Sequence, residues 1–291
     1  MLALLFHFFA DDSQLWKTVN PRSVTDQLHS IRNIETSIKS VAEWMFHNKL
    51  QLNKDKTEFM IIASKRNHKR ICVDHLDLEG DMIKSSQTAR NLGVLMDCTL
   101  SMLDHVNHVR KTGFYYLNWI KRIRNCLTDE AAKAIVHALI ISKIDYCNGL
   151  FINLPSCVIE KLQNLMNAAA RVISRTPRRQ PITPVLRQLH WLPVCKRIDF
   201  KILCLTFKAL NGEAPGYLRE LLTDRMPSRN LRSHSFHRLH VPRRKLKYGE
   251  RAFSFAAPRL WNSIPDHIKS ATSTTLFKKK LKTYLFEQYF G

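Results

Sequence analysis

The sequence predicts an α+β chain that is mainly α, and three observations carry that expectation. Short apolar runs of strand character are confined to the residues before about 100, whereas beyond them apolar side chains recur at three- and four-residue steps, the helical period. The chain has 291 residues, of which 45% are hydrophobic, so it has the apolar material for a core. Because single cores stop growing near ~250 residues, two or three lobes are expected rather than one.

The first run, Leu2-Ala3-Leu4-Leu5-Phe6-His7-Phe8-Phe9, reads as a buried strand that enters a tight turn at Asp11-Asp12 and returns through Gln14-Leu15-Trp16. Ser23 is placed to cap a helix whose apolar face is Val24, Leu28, Ile31, Ile34, Ile38, Val41 and Met45. Phe59-Met60-Ile61-Ile62 and Leu92-Gly93-Val94-Leu95-Met96 read as strands, the glycine allowing a bend or a close backbone approach. From Leu103 the period is helical, through Val106, Val109, Leu117 and Ile120. Thr128 caps a helix running to Tyr146 with an acidic first turn, and Ser156 caps a third through Arg171. Residues 177–184 lie in a run with three prolines, Thr176 to Pro184, the best linker candidate. Beyond it, a helix from about Val194 stops at Asn211-Gly212, and a basic amphipathic helix covers about Thr275 to Gln288.

Charge points to a polyanionic partner. Lys and Arg number 46 against 24 Asp and Glu, a net +22, with +4 over residues 1–145 and +18 over 146–291. The densest stretch holds Arg225, Arg229, Arg232, Arg238, Arg243, Arg244, Lys245, Lys247 and Arg251, with Glu250 as the sole acid between its ends. Phe236, Tyr248 and Phe253 are interleaved there as candidate base-stacking groups. A solvated basic loop is the alternative reading. Lys278, Lys279, Lys280 and Lys282 either extend that track or solubilise the last helix.

Other classes are disfavoured. Seven widely spaced cysteines without a Cys-x-x-Cys pair suit a reducing compartment. The apolar start lacks a basic n-region and a small-x-small cleavage site, and no run approaches the ~20 residues of a membrane span. An intracellular protein, nuclear or cytoplasmic and neither secreted nor membrane-bound, is expected. His68, Cys72 and His75, and likewise His105 and His108, lack a second ligand pair at a zinc-finger interval. Trp191 and Trp261 read as core anchors.

Phe9-Ala10-Asp11-Asp12 sets two adjacent carboxylates at a hairpin tip, where a hard cation such as Mg²⁺ takes one or two carboxylates plus waters and phosphates. Taken alone, the pair equally fits a solvated turn. Its neighbours add an ordered pattern. Phe9-Ala10-Asp11-Asp12-Ser13-Gln14-Leu15 resembles the catalytic turn of reverse transcriptases of LINE-type (non-LTR) retrotransposons. Trp44 with Asn48-Lys49-Leu50-Gln51-Leu52-Asn53-Lys54-Asp55-Lys56-Thr57-Glu58 is similar to the segment after their palm helix, and Asn91-Leu92-Gly93-Val94-Leu95-Met96-Asp97 to their primer-grip hairpin. Ile144-Asp145-Tyr146-Cys147-Asn148, Leu189-His190-Trp191-Leu192-Pro193-Val194, Phe207-Lys208-Ala209-Leu210-Asn211-Gly212 and Ala256-Ala257-Pro258-Arg259-Leu260-Trp261-Asn262-Ser263-Ile264-Pro265 resemble the C-terminal region of jockey-like elements.

That resemblance implies a partial palm over residues 1–100, a helical thumb over 101–176, a linker at 177–184 and a basic C-terminal domain over 185–291. It implies Asp11 and Asp12 as Mg²⁺ ligands in phosphoryl transfer and Lys56 as a proton donor to the leaving group. The alternative for Lys56 is a solvated lysine at a strand start. Leu92, Gly93 and Val94 would hold the primer backbone, or form an ordinary bulged hairpin. RNA template and DNA primer or target are the implied partners. Only eight residues precede Phe9, so the family's earlier metal-binding aspartate and fingers are not in this sequence, and Asp26 and Glu35 are poor substitutes. The chain alone is therefore expected to bind nucleic acid without polymerising and to bind Mg²⁺ weakly or not at all, with the N-terminal apolar strand an edge prone to association. A non-catalytic nucleic-acid-binding protein and an unfolded product of a decayed element are the other two readings.

Overall fold

The computed structural model describes residues 4–10, 12–225, 238–244, 246 and 248–291. They form two compact units, Met1–His105 and Val106–Gly291. The architecture is α+β and mainly α, and the described strands make three separate two-stranded antiparallel sheets, all in the first unit.

In the first unit, β1 (Leu5–Phe9) and β2 (Asp12–Trp16) pair as the expected hairpin, with Phe9 opposite Asp12. Ala10, at φ 52°, supplies the left-handed conformation that two-residue hairpin connections require. The expectation of a buried strand is corrected: every residue of β1 is exposed, Phe6 by 63% and Phe9 by 58%. The reason is that β1 has β2 as its one partner among the described strands. Phe6 and Phe8 cover each other in part, their ring centroids 5.3 Å apart.

Helix α1 (Val24–His47) starts where Ser23 Oγ accepts the Asp26 N–H at 3.2 Å, a cap worth about 1 kcal/mol. Its apolar face is only half covered, with Val24 and Leu28 exposed and Ile31, Ile34, Ile38, Val41 and Met45 half-buried. The buried positions are polar. Gln27 is covered because its amide nitrogen donates to the Pro21 and Arg70 carbonyls while its Oε1 accepts the Cys72 N–H, which fastens α1 to residues 70–72.

A 3-10 turn (Lys54–Lys56) and the short α2 (Lys65–His68) precede two more hairpins, β3 (His75–Leu78) with β4 (Asp81–Lys84) and β5 (Thr88–Asn91) with β6 (Val94–Asp97). Both turn through two residues at positive φ ending in glycine, Glu79-Gly80 (56° and 93°) and Leu92-Gly93 (44° and 82°). Such turns match the right-handed twist of the flanking strands. The strand expected over Phe59–Ile62 is corrected. Among the described residues Phe59 is the bridge residue of that run, facing Ser85 and accepting the Ser86 N–H, and just beyond the run the Ala63 N–H reaches the Cys98 carbonyl.

At the end of β6 the buried Asp97 carboxylate accepts bonds from the Thr99 and Ser101 N–H and hydroxyl groups and from the Met102 N–H, all within 3.1 Å. This knot shapes the entry to α3 (Leu103–Ile123). Burial alone pushes the carboxyl up, but the bonds from Thr99, Ser101 and Met102 together outweigh burial and hold it below the usual carboxylate range. A lowered folded-state pKa contributes stability above the unfolded value of about 3.9, and this is lost as pH falls through the folded value. Urea denaturation at a series of pH values is expected to show stability falling below about pH 4, with Asp97→Asn flattening that fall and costing about 1–3 kcal/mol at neutral pH.

The second unit holds most of α3, then α4 (Asp129–Val136), a π turn (His137–Ile141), α5 (Ser142–Asp145) and α6 (Ser156–Ser174). Thr128 caps α4 as expected, its Oγ1 accepting the Ala131 N–H at 3.2 Å. Ser156 does not cap α6, because Pro155 occupies that position and Ser156 is already helical. Where α3 meets α6, a Cβ at Gly113 would overlap the methyls of Leu165, so that buried side chain would have to shift.

Arg124 ties three helix ends together. Its buried guanidinium donates to the carbonyls of Val172 (2.9 Å), Leu127 (2.9 Å) and Ile173 (2.7 Å) and pairs with Asp129. Arg124→Lys keeps the charge but loses the planar fork, leaving buried carbonyls unbonded. Thermal melts are expected to show a loss of about 2–4 kcal/mol for this substitution.

Residues 177–184 and both their flanks belong to the second unit. Arg171 holds this stretch down, donating to the Pro177 carbonyl at 2.6 Å and the Gln180 carbonyl at 2.8 Å. There follow α7 (Thr183–Gln188), α8 (Val194–Leu210), α9 (Gly216–Glu220), α10 (Phe253–Ser263), α11 (Asp266–Lys269) and α12 (Thr274–Phe290). Helix α8 ends at Asn211 and Gly212, the latter at φ 73°. Its buried face packs with α10 and α12 around Phe207, Trp261 and Phe277, the rings of Phe207 and Phe277 stacking at 4.2 Å. Trp191 and Trp261 are both buried, as expected. All seven cysteines are free, and burial pushes the Cys204 thiol up to about 11, which makes it a poor nucleophile. Among the described residues no helix is long and apolar enough to cross a membrane.

Candidate functional site

The paired-carboxylate hairpin presents Asp12 as the first, exposed residue of β2, while Asp11 lies outside the described residues. The second glycine hairpin is next to it in the first unit. Gln14 on β2 donates from Nε2 to Oδ1 of Asn91 on β5 at 2.7 Å, so the Phe9-to-Asp12 turn and the Leu92-Gly93 turn belong to hairpins in contact. Val94 is buried at the start of β6, Leu92 is partly exposed, and Gly93 provides the second positive φ.

Lys56 is exposed at the end of the 3-10 turn rather than at a strand start, and no hydrogen bond or ion pair joins it to Asp12. Its neighbour Lys54 is the tethered lysine, bonded to Asp81 at 2.8 Å and to the Leu78 carbonyl at 3.3 Å. Asp26 and Glu35 are engaged locally, accepting the backbone N–H of Asn20 (2.6 Å) and Asp77 (2.9 Å) respectively. His68 faces the Cys98 carbonyl, Cys72 faces Gln27, and His105 accepts the Leu95 N–H. Among the described residues no group of three or more His, Cys, Asp or Glu is arranged to hold a metal ion.

The basic segment is held at its base. Arg225 N–H donates to the Arg238 carbonyl at 2.9 Å, and Asp224 and Leu239 form an antiparallel bridge, so two arginines thirteen positions apart in sequence are brought together. Leu239 is fully buried, and Asn262 on α10 grips both of its backbone groups at 2.9 and 2.8 Å. Sequence reasoning had placed Asn262 only within a motif; the bidentate amide is what fixes the segment to the core. Arg225, Arg238, Arg243 and Arg244 are exposed, whereas Arg229, Arg232, Lys245 and Lys247 lie outside the described residues. Arg251 is half-buried and its Nη2 donates to the Leu150 carbonyl at 3.3 Å, while the exposed Arg244 donates from Nη2 to the Ser254 hydroxyl at 3.0 Å. Phe253 is half-buried against the hydrophobic core, while Tyr248 stays exposed. Phe236 lies outside the described residues.

Two of the C-terminal motifs meet. Arg197 pairs with Asp145 at 2.6 Å and also donates to the Leu192 carbonyl at 2.8 Å. Trp191 Nε1–H donates to His137 Nε2 at 3.1 Å, and this requires that nitrogen to be unprotonated. Covering of the ring, with Arg197 and Lys133 nearby, pushes the His137 imidazole down and favours that form. These motifs build a polar brace between α5, α8 and the π turn. Set against known protein families, curated proteins and solved structures, the chain matches none.

Proposed function

We propose that this chain is part of an RNA-directed DNA polymerase of the non-LTR, jockey-like LINE class, and that its own contribution is to bind RNA template and DNA primer or target. The observation that supports this reading is the Gln14 to Asn91 hydrogen bond, which sets the hairpin bearing Asp11 and Asp12 beside the one bearing Leu92, Gly93 and Val94. An exposed carboxylate at a hairpin end suits Mg²⁺, which takes few protein ligands and completes its shell with waters and substrate phosphates. When bound with substrate, that ion would activate the primer 3′-hydroxyl. Asp11 and Asp12 are the residues to hold it.

The exposed arginines Arg225, Arg238, Arg243 and Arg244 favour a second reading, a binding protein without chemistry. RNA-templated primer extension with Mg²⁺, run beside a binding assay on the purified chain, tests whether the chain binds and whether it polymerises. Binding without extension is the expected result. Extension that Asp11→Ala or Asp12→Ala abolishes would assign catalysis to this chain by itself, and absence of both binding and extension sinks the proposal.

A further inference from the structure

We propose that the outward face of α3 is a stacking platform for the unpaired bases of single-stranded nucleic acid, in addition to the arginine-rich segment. The face follows from helical geometry. Val106, Val109, Gly113, Leu117 and Ile120 are buried, so the opposite side of the same helix carries His108, Lys111, Tyr115, Asn118, Trp119 and Arg122 to the solvent. Tyr115 and Trp119, one turn apart, are 59% and 53% exposed. The solvent face of a helix in a globular unit is ordinarily polar, so two large aromatics there call for an occupant.

The surroundings select which occupant. Tyr115 and Trp119 contact edge to face, with ring centroids 6.3 Å apart and planes at 65°, so they offer π surfaces in two orientations rather than one closed slot. The Arg122 guanidinium lies 5.4 Å from the Trp119 ring centre, and Lys143 Nζ lies 5.7 Å from the ring of Tyr116, which itself touches Tyr115 at 5.6 Å. From His105 to Ile123 the helix has no acidic residue. Cations beside exposed rings are the combination that grips a base by its face and its phosphate by charge, independently of base identity. A protein partner would need an apolar centre to bury. Here the rings are flanked by His108, Lys111, Asn118 and Arg122, and the one aliphatic side chain exposed a turn away from Trp119 is Ile123. The site differs from the arginine-rich segment in what it reads, since stacking requires bases and charge alone does not.

The test compares a short single-stranded oligonucleotide with an abasic oligomer of equal phosphate number, both binding to the full chain and its variants. For Trp119→Ala, affinity for the base-bearing strand is expected to fall by about 5- to 150-fold while affinity for the abasic oligomer is retained, and Trp119→Phe should keep most of the difference. Tyr115→Ala should act in the same direction. Because both rings are exposed, thermal melts of these variants should match the parent chain. Equal losses for both oligomers, or unchanged affinity for the base-bearing strand in the double variant, would overturn the platform. Failure of the broader nucleic-acid reading looks different, since the parent chain would then bind neither oligomer.

Discussion

Raising salt from 50 to 200 mM is expected to weaken RNA or DNA binding by the chain about 10³- to 10⁵-fold, the loss that accompanies neutralisation of six to ten phosphates. The warrant is the net +22 charge together with its placement. Arg225 and Arg238 are drawn side by side by the backbone bridge at Asp224 and Leu239, and Arg243 and Arg244 follow them on exposed chain. Concentrating cations in this way raises local positive potential without requiring a rigid groove. Arg243→Gln with Arg244→Gln should lower the slope of log affinity against log salt by about 2, close to one for each contact removed. Arg251→Gln is the internal control. Its guanidinium is bonded to the Leu150 carbonyl, so the substitution should move thermal stability more than the salt slope. A flat salt response in the parent chain would remove the phosphate-binding reading of this segment.

Trp261→Ala is expected to cost about 3–5 kcal/mol, enough to unfold a large fraction of a marginally stable unit. Trp261 is 2% exposed and lies between α8 and α12, with Phe207 at 6.5 Å and Phe277 at 6.0 Å between ring centroids. Truncation removes a large buried apolar surface and leaves a void that close-packed neighbours refill only in part. The same core covers Leu239, so loosening it also frees the base of the arginine-rich segment. Urea denaturation should show a lower midpoint with unchanged slope, and Trp261→Phe should recover part of the loss. An unchanged midpoint for Trp261→Ala would mean that these helices do not share one core.

Local signals were legible in the sequence because the groups that decide them are neighbours. Ser23 and Thr128 were readable as caps, since each bonds a backbone N–H three residues on. Asn211-Gly212 was readable as a stop because a positive φ suits glycine. The β3–β4 hairpin was missed although it carried the same signal as Leu92-Gly93, a Glu79-Gly80 pair between short alternating runs. Burial was less legible. The apolar content of β1 says that it prefers a partner, and not whether one is present; the polar Gln27 is covered because acceptors and donors from residues 70–72 converge on it. In the candidate site, the order of motifs was visible along the chain, but the contact between Gln14 and Asn91, the bond of Arg251 to the Leu150 carbonyl and the grip of Asn262 on Leu239 join residues 23 to 101 positions apart.

Thus the sequence by itself determined the longer helices, the β1–β2 hairpin, the surplus of positive charge and its bias toward the second half, because these depend on spacing, capping and composition. Only the tertiary structure decided which arginines face solvent, that Tyr115 and Trp119 stand out on α3, and where the hairpins bearing Asp12 and Leu92-Gly93 touch. The physical reason is that exposure and hydrogen-bond partnership are properties of what packs alongside a residue, and packing is set by elements far away in sequence.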